Sequence, residues 1–307
     1  DMTKVLFKIY MAFTVCAFII FLICGMDFTG AVNHALSTVS AGGFSTYNES
    51  AAYFDDVYVE GWMTFFMVLA GGNFGLYYRA YHKGATVLLK DTEFKAYLSI
   101  LVVAAIIIIG DLMVELDSDF FTALRYAAFQ TASIATTGFV SADYDRWPVL
   151  SKFVLMGLMI CGGCAGSTAA GLKISRVVIL LRSVRATVLH LLYPKHVVEV
   201  MMNGTTLHDS TVLRVGQYFF MYIFFILFFA LLLAFDGVGG FDALGISVST
   251  MGCIGPAFGV TGATCTYADL SWFSKTVICF SMLLGRLEIF TILVMLRPGL
   301  WKGKNTW

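Results

Sequence analysis

An all-α, polytopic membrane protein is what this sequence predicts, and three observations carry the prediction. Apolar residues make up 59% of the 307 and charged residues 13%, against about 45–50% and about 25% in an average soluble domain. Six runs are apolar for roughly 20 residues or more, long enough to cross a bilayer as helices. Those runs alternate with shorter semi-apolar segments in one order, long, short, long, repeated three times. The composition excludes a disordered chain and almost any soluble enzyme. The balance of 20 basic against 20 acidic residues excludes a nucleic-acid binder acting through bulk positive charge.

The long runs lie at 5–25, 57–79, 96–115, 149–183, 215–235 and 270–296. The fourth is too long for one straight span and is interrupted by glycines. The short segments at 28–46, 120–142 and 240–260 have the length of a pore helix followed by a re-entrant loop. Each opens on Phe then Thr or Asp (Phe28-Thr29, Phe121-Thr122, Phe241-Asp242), continues Ser/Thr-rich, and reaches a glycine: Gly43, Gly138 and Gly255. Thr29, Thr122 and Asp242 suit a helix N-terminus, where a side-chain oxygen can accept from an orphan N–H. The repeats divide the chain into units at 1–90, 91–185 and 214–307, with a cytoplasmic connector at 186–213. Asp1 is not a Met start and no signal peptide follows it, so a piece of a longer chain is expected. The seven cysteines mostly sit in apolar runs and read as small hydrophobes, not as a disulfide framework.

Basic residues cluster at Lys4 and Lys8, at 79–95, at 173–214 and at 297–304, which the positive-inside rule places in the cytoplasm. The six runs then alternate, and all three short segments enter from outside. On this topology the cytoplasmic side carries 15 basic and 5 acidic residues and the outer side 4 basic and 14 acidic. The neutral total conceals a polarised chain. Its outer acids, among them Asp27, Asp55, Asp56, Asp117, Asp119, Asp143 and Asp145, could concentrate cations at the mouth.

The three loops read SAGGFST (40–46), TTGFVS (136–141) and CIGPAFG (253–259). Glycine allows backbone angles that let successive carbonyls turn toward an axis, and rings of carbonyls replace a cation's hydration shell in selectivity filters. The short helix before each loop aims its negative end at the same region. Helix packing through small residues is the other reading of such glycines. Three loops at matching places favour the ion site.

TTGFVS, SAGGFST, GGCAGSTAAGLK (162–173) and MLLGRLEIFTILVMLRPGLW (282–301) resemble the TrkH/KtrB potassium-uptake proteins of the Trk/Ktr/HKT superfamily, and the last two resemble its TrkH branch. The resemblance covers the whole chain. It implies four helix–pore loop–helix units around one pseudo-fourfold pore, of which this chain holds the second, third and fourth, so three of four. It implies a potassium filter of backbone carbonyls at Gly43, Gly138 and Gly255 with flanking Ala41, Gly42, Thr136, Thr137, Cys253 and Ile254. It implies an intramembrane gate loop at 162–171, with Gly162, Gly163, Gly166, Ser167, Thr168 and Gly171, and a pore-facing Arg286. Potassium would be the transported ligand, with no organic cofactor. The bacterial inner membrane, membrane lipid, a homodimer and a cytoplasmic nucleotide-binding TrkA-like ring come with the family. The first unit, whose filter residue reports on ion preference, is not in this sequence. A sodium-permeable or cation-coupled relative is the alternative.

The residues of the gate bear their own reading. Four glycines within 162–171 disfavour a continuous helix; a small-residue helix crossing is the alternative. Gly166 to Lys173 is not a Walker loop, because the lysine does not follow a glycine directly. Cys161 and Cys164 lack the partners of a zinc or redox site. Arg286 falls in the middle of the last run, where a charge is costly enough to need a cavity or a partner; an ion pair with Glu288 of a partner subunit or another acid is the alternative. Asn73 reads as a packing or capping residue, and Asp111 and Glu115 as solvated. His34 opens a pore helix and could sense pH; His82, His190, His196 and His208 form no metal-spacing motif. An intramembrane enzyme would need converging His, Asp, Ser or Cys within the spans, and the spans carry no such set.

Overall fold

The computed structural model describes residues 2–195 and 198–297; Asp1, His196, Val197 and residues 298–307, which include the end of the 282–301 motif, Lys302 and Lys304, lie outside them. The long apolar runs of the chain are helical, as its composition requires. A backbone in lipid must satisfy its polar groups internally.

In each unit the first helix is continuous. These are α1 (Met2–Ile23), α6 (Thr92–Glu115) and α10 (Asp209–Phe235), the three helices among the described residues long and apolar enough to cross a bilayer alone. A shorter helix follows, at the place expected for a pore helix: α2 (Phe28–Val39), α7 (Phe120–Thr136) and α11 (Gly240–Met251). Its start differs from the sequence expectation. Asp27 and Asp119, not Thr29 and Thr122, cap α2 and α7, accepting from the Gly30 and Phe121 N–H at 3.1 Å each. Gly239 opens α11 without a side-chain cap, and Asp242 instead accepts from the Val260 N–H at 3.3 Å.

Each second helix is broken. Residues 57–79 are not one helix but α3 (Val57–Ala70) and α4 (Phe74–Lys83), with the short α5 (Thr86–Lys90) after them. Gly71, Gly72 and Asn73 make the break. A Cβ on Gly71 would overlap the Tyr97 hydroxyl and the Thr136 methyl, and Asn73 caps α4 from the Leu76 N–H at 3.2 Å. The fourth run divides into α8 (Val149–Cys161) and α9 (Ile174–Leu192) around 162–173. Residues 270–296 become α12 (Trp272–Arg286) and α13 (Ile289–Met295), bent by 106°. Glu288 sits at the bend with φ +59°. Arg286 therefore ends a helix instead of lying mid-span, where its charge complements the helix dipole. The connector carries one departure from an all-α chain, a hairpin of β1 (Met201–Met202) and β2 (Thr205–Thr206).

Within each unit the three helices pack on one another, and α3 against α7 and α8 against α11 join neighbouring units. Buried Phe21, Met63, Phe66 and Phe129 fill the first core, and Ile108, Leu155, Tyr222, Ile246 and Met251 belong to the second. Exposed Val103, Phe220 and Leu231 present the apolar exterior that lipid requires. Between α3 and α7, Arg125 grips Glu60 with two bonds of 2.7 and 2.9 Å and reaches Asp55 at 2.8 Å. Glu60 is 2% exposed, and stripping such a charge of its partner costs about 3–5 kcal/mol.

Candidate functional site

The three glycine loops lie side by side. A Cβ on Gly43 would overlap the Thr137 carbonyl oxygen, and one on Gly138 would overlap the Ile254 carbonyl oxygen. All three glycines have positive φ, +69°, +99° and +109°, a region glycine enters freely. In the first and last loops Ala41 (φ +55°) and Cys253 (φ +52°) are left-handed as well, two residues before their glycines. Gly42 and Ile254 between them are not. That alternation turns successive carbonyls the same way. The middle loop is two residues shorter between helix and glycine. Its helix runs on to Thr136, and Thr137 caps it at φ −116°.

A serine near the end of each pore helix fixes the turn. The Ser37, Ser133 and Ser249 carbonyls accept from the N–H groups of Gly42, Gly138 and Ile254 at 2.8, 2.8 and 3.0 Å. Their hydroxyls reach the residue after each glycine. Ser37 accepts from the Phe44 N–H at 2.6 Å, Ser133 donates to the Phe139 carbonyl at 2.6 Å, and Ser249 donates to the Pro256 carbonyl at 2.8 Å. Only the first unit takes the N–H; Pro256 has none to give, so the last unit can use only the carbonyl, as the middle one does. The serine signal was present in the sequence as a Ser/Thr-rich stretch, but the role depends on the loop path.

Among the described residues no group donates to the carbonyls of Ala41, Gly42, Gly43, Thr137, Gly138, Cys253 or Ile254. The Gly255 carbonyl differs, because the Tyr267 hydroxyl donates to it. The unit's open carbonyls are thus those of Cys253 and Ile254. Behind the first loop His34 is wholly buried, well inside α2. Its Nδ1 donates to the Gly30 carbonyl at 2.8 Å, which leaves Nε2 to accept from Ser45 Oγ at 3.0 Å. The ring stacks on Phe139 at 5.7 Å, so it braces two loops at once.

Loop 162–173 sits below α2, held by other units. Thr168 Oγ1 donates to the Val39 carbonyl at 3.0 Å and the Ala70 carbonyl at 3.2 Å. The Cys164 N–H donates to the Gly71 carbonyl at 2.8 Å, and the Phe74 N–H to the Gly166 carbonyl at 3.3 Å. Gly162, Gly166 and Gly171 take positive φ. Gly163 is hemmed in by the Gly71 carbonyl and Ala169. Ser167 Oγ closes the loop on the Cys164 carbonyl at 2.6 Å.

Two cations hold adjacent carbonyls of this loop. Arg286 Nη1 donates to the Thr168 carbonyl at 2.9 Å, and Lys173 Nζ to the Ala169 carbonyl at 2.7 Å. They border a cavity of about 320 Å³ that also meets Ser167, Gly171, Gly285 and Glu288. Glu288 does not serve Arg286. It pairs with Arg176 at 2.9 Å, whose guanidinium lies 3.9 Å from the Tyr218 ring centroid. Gly285 lets α12 approach, since a Cβ there would overlap the Met251 carbonyl oxygen.

Two acids whose partners the sequence did not show, one read as solvated and one not singled out, work on α8 and α9. Asp111, expected to be solvated, accepts from the Ser151 N–H at 2.9 Å and hydroxyl at 2.5 Å. It caps α8, whose own N-cap is Pro148. Glu93 accepts from the Ala165 N–H at 2.5 Å and the Ser175 N–H at 3.1 Å. Several outer acids are likewise engaged. Asp56 caps α3, and Asp145 accepts from the Gly259 and Ala263 N–H groups at 3.1 and 3.3 Å.

The family model for TrkH, described as a cation transport protein, matches residues 1–302. The Trk system potassium uptake protein TrkH of Halomonas elongata is 34% identical over 98% of this chain, and that of Salmonella typhimurium 30% over 98%. The crystal structure of the potassium transporter TrkH from Vibrio parahaemolyticus superimposes with a TM-score of 0.90 at 30% identity over 97% of the chain. The chain spans 63% of the length of the first two relatives and 64% of the third. These relatives are named as transporters and not as enzymes. Three glycine loops abreast, an inner glycine loop beneath them and a family match along nearly the whole chain lead to one assignment: this chain belongs to the TrkH family of cation transport proteins.

Proposed function

We propose that this chain is the greater part of a potassium uptake pore in the bacterial inner membrane. The observation that carries the reading is the row of seven unengaged carbonyls on three abutting loops, each at the negative end of a pore helix. Potassium sheds water at the carbonyls of Ala41, Gly42, Gly43, Thr137, Gly138, Cys253 and Ile254. The relatives are longer, and the family's first unit supplies the fourth loop beside Gly255, whose Cβ direction is open to 4 Å. The inside-negative potential favours inward movement by about 2.3 kcal/mol per charge per 100 mV.

Below the filter, Gly162 to Gly171 form the gate. Arg286 and Lys173 place positive charge beside the path and occupy the Thr168 and Ala169 carbonyls that a passing cation would use. No organic cofactor takes part. A homodimer in membrane lipid and a cytoplasmic nucleotide-binding ring, TrkA-like, complete the system through the cytoplasmic side. Outer acids such as Asp55 and Asp117 raise the local cation concentration.

The test is ion flux in the reconstituted full-length protein. Potassium or rubidium flux should exceed sodium flux, and Arg286→Ala should raise it with little change in thermal stability. Equal sodium flux would favour the sodium-permeable alternative, and unaltered flux in the variant would end the gate role of Arg286.

A further inference from the structure

We propose that Glu93 is the positioning residue of loop 162–173, and that through Asp91 it ties the loop to the cytoplasmic hairpin at 201–206. The functional side of this inference rests on the reading of that loop as a gate. The contacts do not.

One oxygen of Glu93 accepts from two N–H groups ten positions apart, those of Ala165 within the loop and Ser175 in the first turn of α9. The loop is therefore pinned across its width by a single carboxylate from another helix. Helix α9 needs this partner, because its N-cap Lys173 makes no side-chain capping bond. A carboxylate there also meets the positive end of the helix dipole. Glu93 is 6% exposed, and no cation lies within ion-pair distance of it among the described residues. Its charge is balanced by those two N–H donors and the dipole behind them, so moving the carboxylate strands a buried charge and two half-buried donors together.

The residues before Glu93 connect it outward. Asp91 caps α6 through the Phe94 N–H at 3.0 Å with one oxygen. Its other oxygen accepts from Asn203 Nδ2 at 2.8 Å. Asn203 Oδ1 in turn accepts from the Thr92 N–H at 2.8 Å. Asn203 stands at the turn of the hairpin, 112 positions away from Asp91. On the far side of the hairpin Arg182 of α9 donates to the Met201 carbonyl. The hairpin thus grips both elements that Glu93 joins, the start of α6 and the body of α9. Displacing it loosens the first turn of α6, and the carboxylate moves with that turn. A cytoplasmic partner bearing on the exposed hairpin would reach the loop this way without touching it.

Hydrogen–deuterium exchange on the full-length protein in lipid tests the link, read over peptides covering 162–176. Glu93→Gln keeps the side chain's shape and removes its charge. It should speed exchange at the Ala165 and Ser175 amides about tenfold, the difference between a charge-assisted and a neutral bond. Glu93→Asp, which restores the charge on a shorter stem, should recover part of the protection. Asn203→Ala should speed the same two amides by less, and adding it to Glu93→Gln should give less than the sum of the two effects. Unchanged exchange in Glu93→Gln overturns the positioning role. An effect of Asn203→Ala confined to residues 91–94 overturns the link to the hairpin. Cation flux separates this inference from the gate: faster exchange with unaltered flux refutes the gate and leaves the positioning role standing.

Discussion

The glycine loops after α2, α7 and α11 and the glycine loop between α8 and α9 use the same small residues but are secured from different distances. Ser37, Ser133 and Ser249 fix the outer loops with bonds to residues five to seven positions further along. Loop 162–173 takes Glu93 from 72 positions away, Ala70 from 98, Arg286 from 118 and Val39 from 129. An outer turn can form as soon as its pore helix forms. The inner loop takes its place only when three units have packed. A loop whose partners sit on other elements moves when those elements move, which suits a gate. A loop tied to its own helix keeps its shape, which suits a filter.

The largest effect comes from breaking the outer layer where its loops touch. Gly138 combines φ +99° with a Cβ direction blocked by the Ile254 carbonyl oxygen. Gly138→Ala adds about 1–2 kcal/mol of backbone cost for an L residue at positive φ to a collision with main chain that cannot rotate away. Potassium flux should vanish. Gly110→Ala in α6 is the control, because a Cβ there meets nothing within 4 Å; its flux should be normal and its stability equal or slightly higher. If Gly138→Ala conducts selectively, loop-to-loop contact is not what shapes the outer layer.

Ser133→Ala asks whether the local ties are independent of the inner loop. It leaves the Phe139 carbonyl with only Gln130 Nε2 at 3.5 Å, a buried acceptor worth about 1–2 kcal/mol when deprived. The thermal midpoint should fall, and the potassium-to-sodium flux ratio should fall with it, while amide exchange across 162–173 stays at its wild-type rate. Faster exchange in that loop would show that the two layers share their support, and the contrast drawn above would fail.

What the sequence made legible divides along the same line. Gly43, Gly138 and Gly255 repeat with a serine close before each, so local pattern was enough to find them. The break at 162–173 also announced itself, through four glycines in ten positions. Asn73 could be read as a cap because its partner is three residues on. Glu93 and Asp111 could not, since each caps a helix 40 or more positions away and each looks like an ordinary acid at the end of a span. The 106° bend after Arg286 was hidden because the run stays apolar on both sides of Arg286 and Glu288. Hydropathy records what lipid tolerates and not where a helix turns. The capping aspartates were missed by two or three positions because threonine and aspartate both fit a helix start, and only the fold says which residue stands at the boundary.

Sequence distance alone does not decide how much a tie matters, and Asp236 gives the smallest effect that can sharpen the point. Like Glu93, it accepts with one oxygen from two remote donors, the hydroxyls of Ser271 and Ser274, the latter at 2.6 Å. Unlike Glu93, it lies exposed at the outer end of α10. The two hydroxyls hold its carboxyl below the ordinary aspartate value of 3.8. A folded value lower than the unfolded one stabilises the protein above pH 3.8, and that contribution disappears as pH falls through the lowered folded value. Between pH 7 and pH 5 the group should add no pH dependence. Asp236→Asn should lower the thermal midpoint slightly at pH 7, by less than Ser133→Ala does. The gap to wild type should close as the pH is taken below 3.8. A gap that persists in acid would assign the effect to shape instead of charge. A gap at pH 7 as wide as that of Ser133→Ala would mean that exposure does not weaken a remote tie, and the weight placed on the burial of Glu93 would have to move to its position beneath the loop.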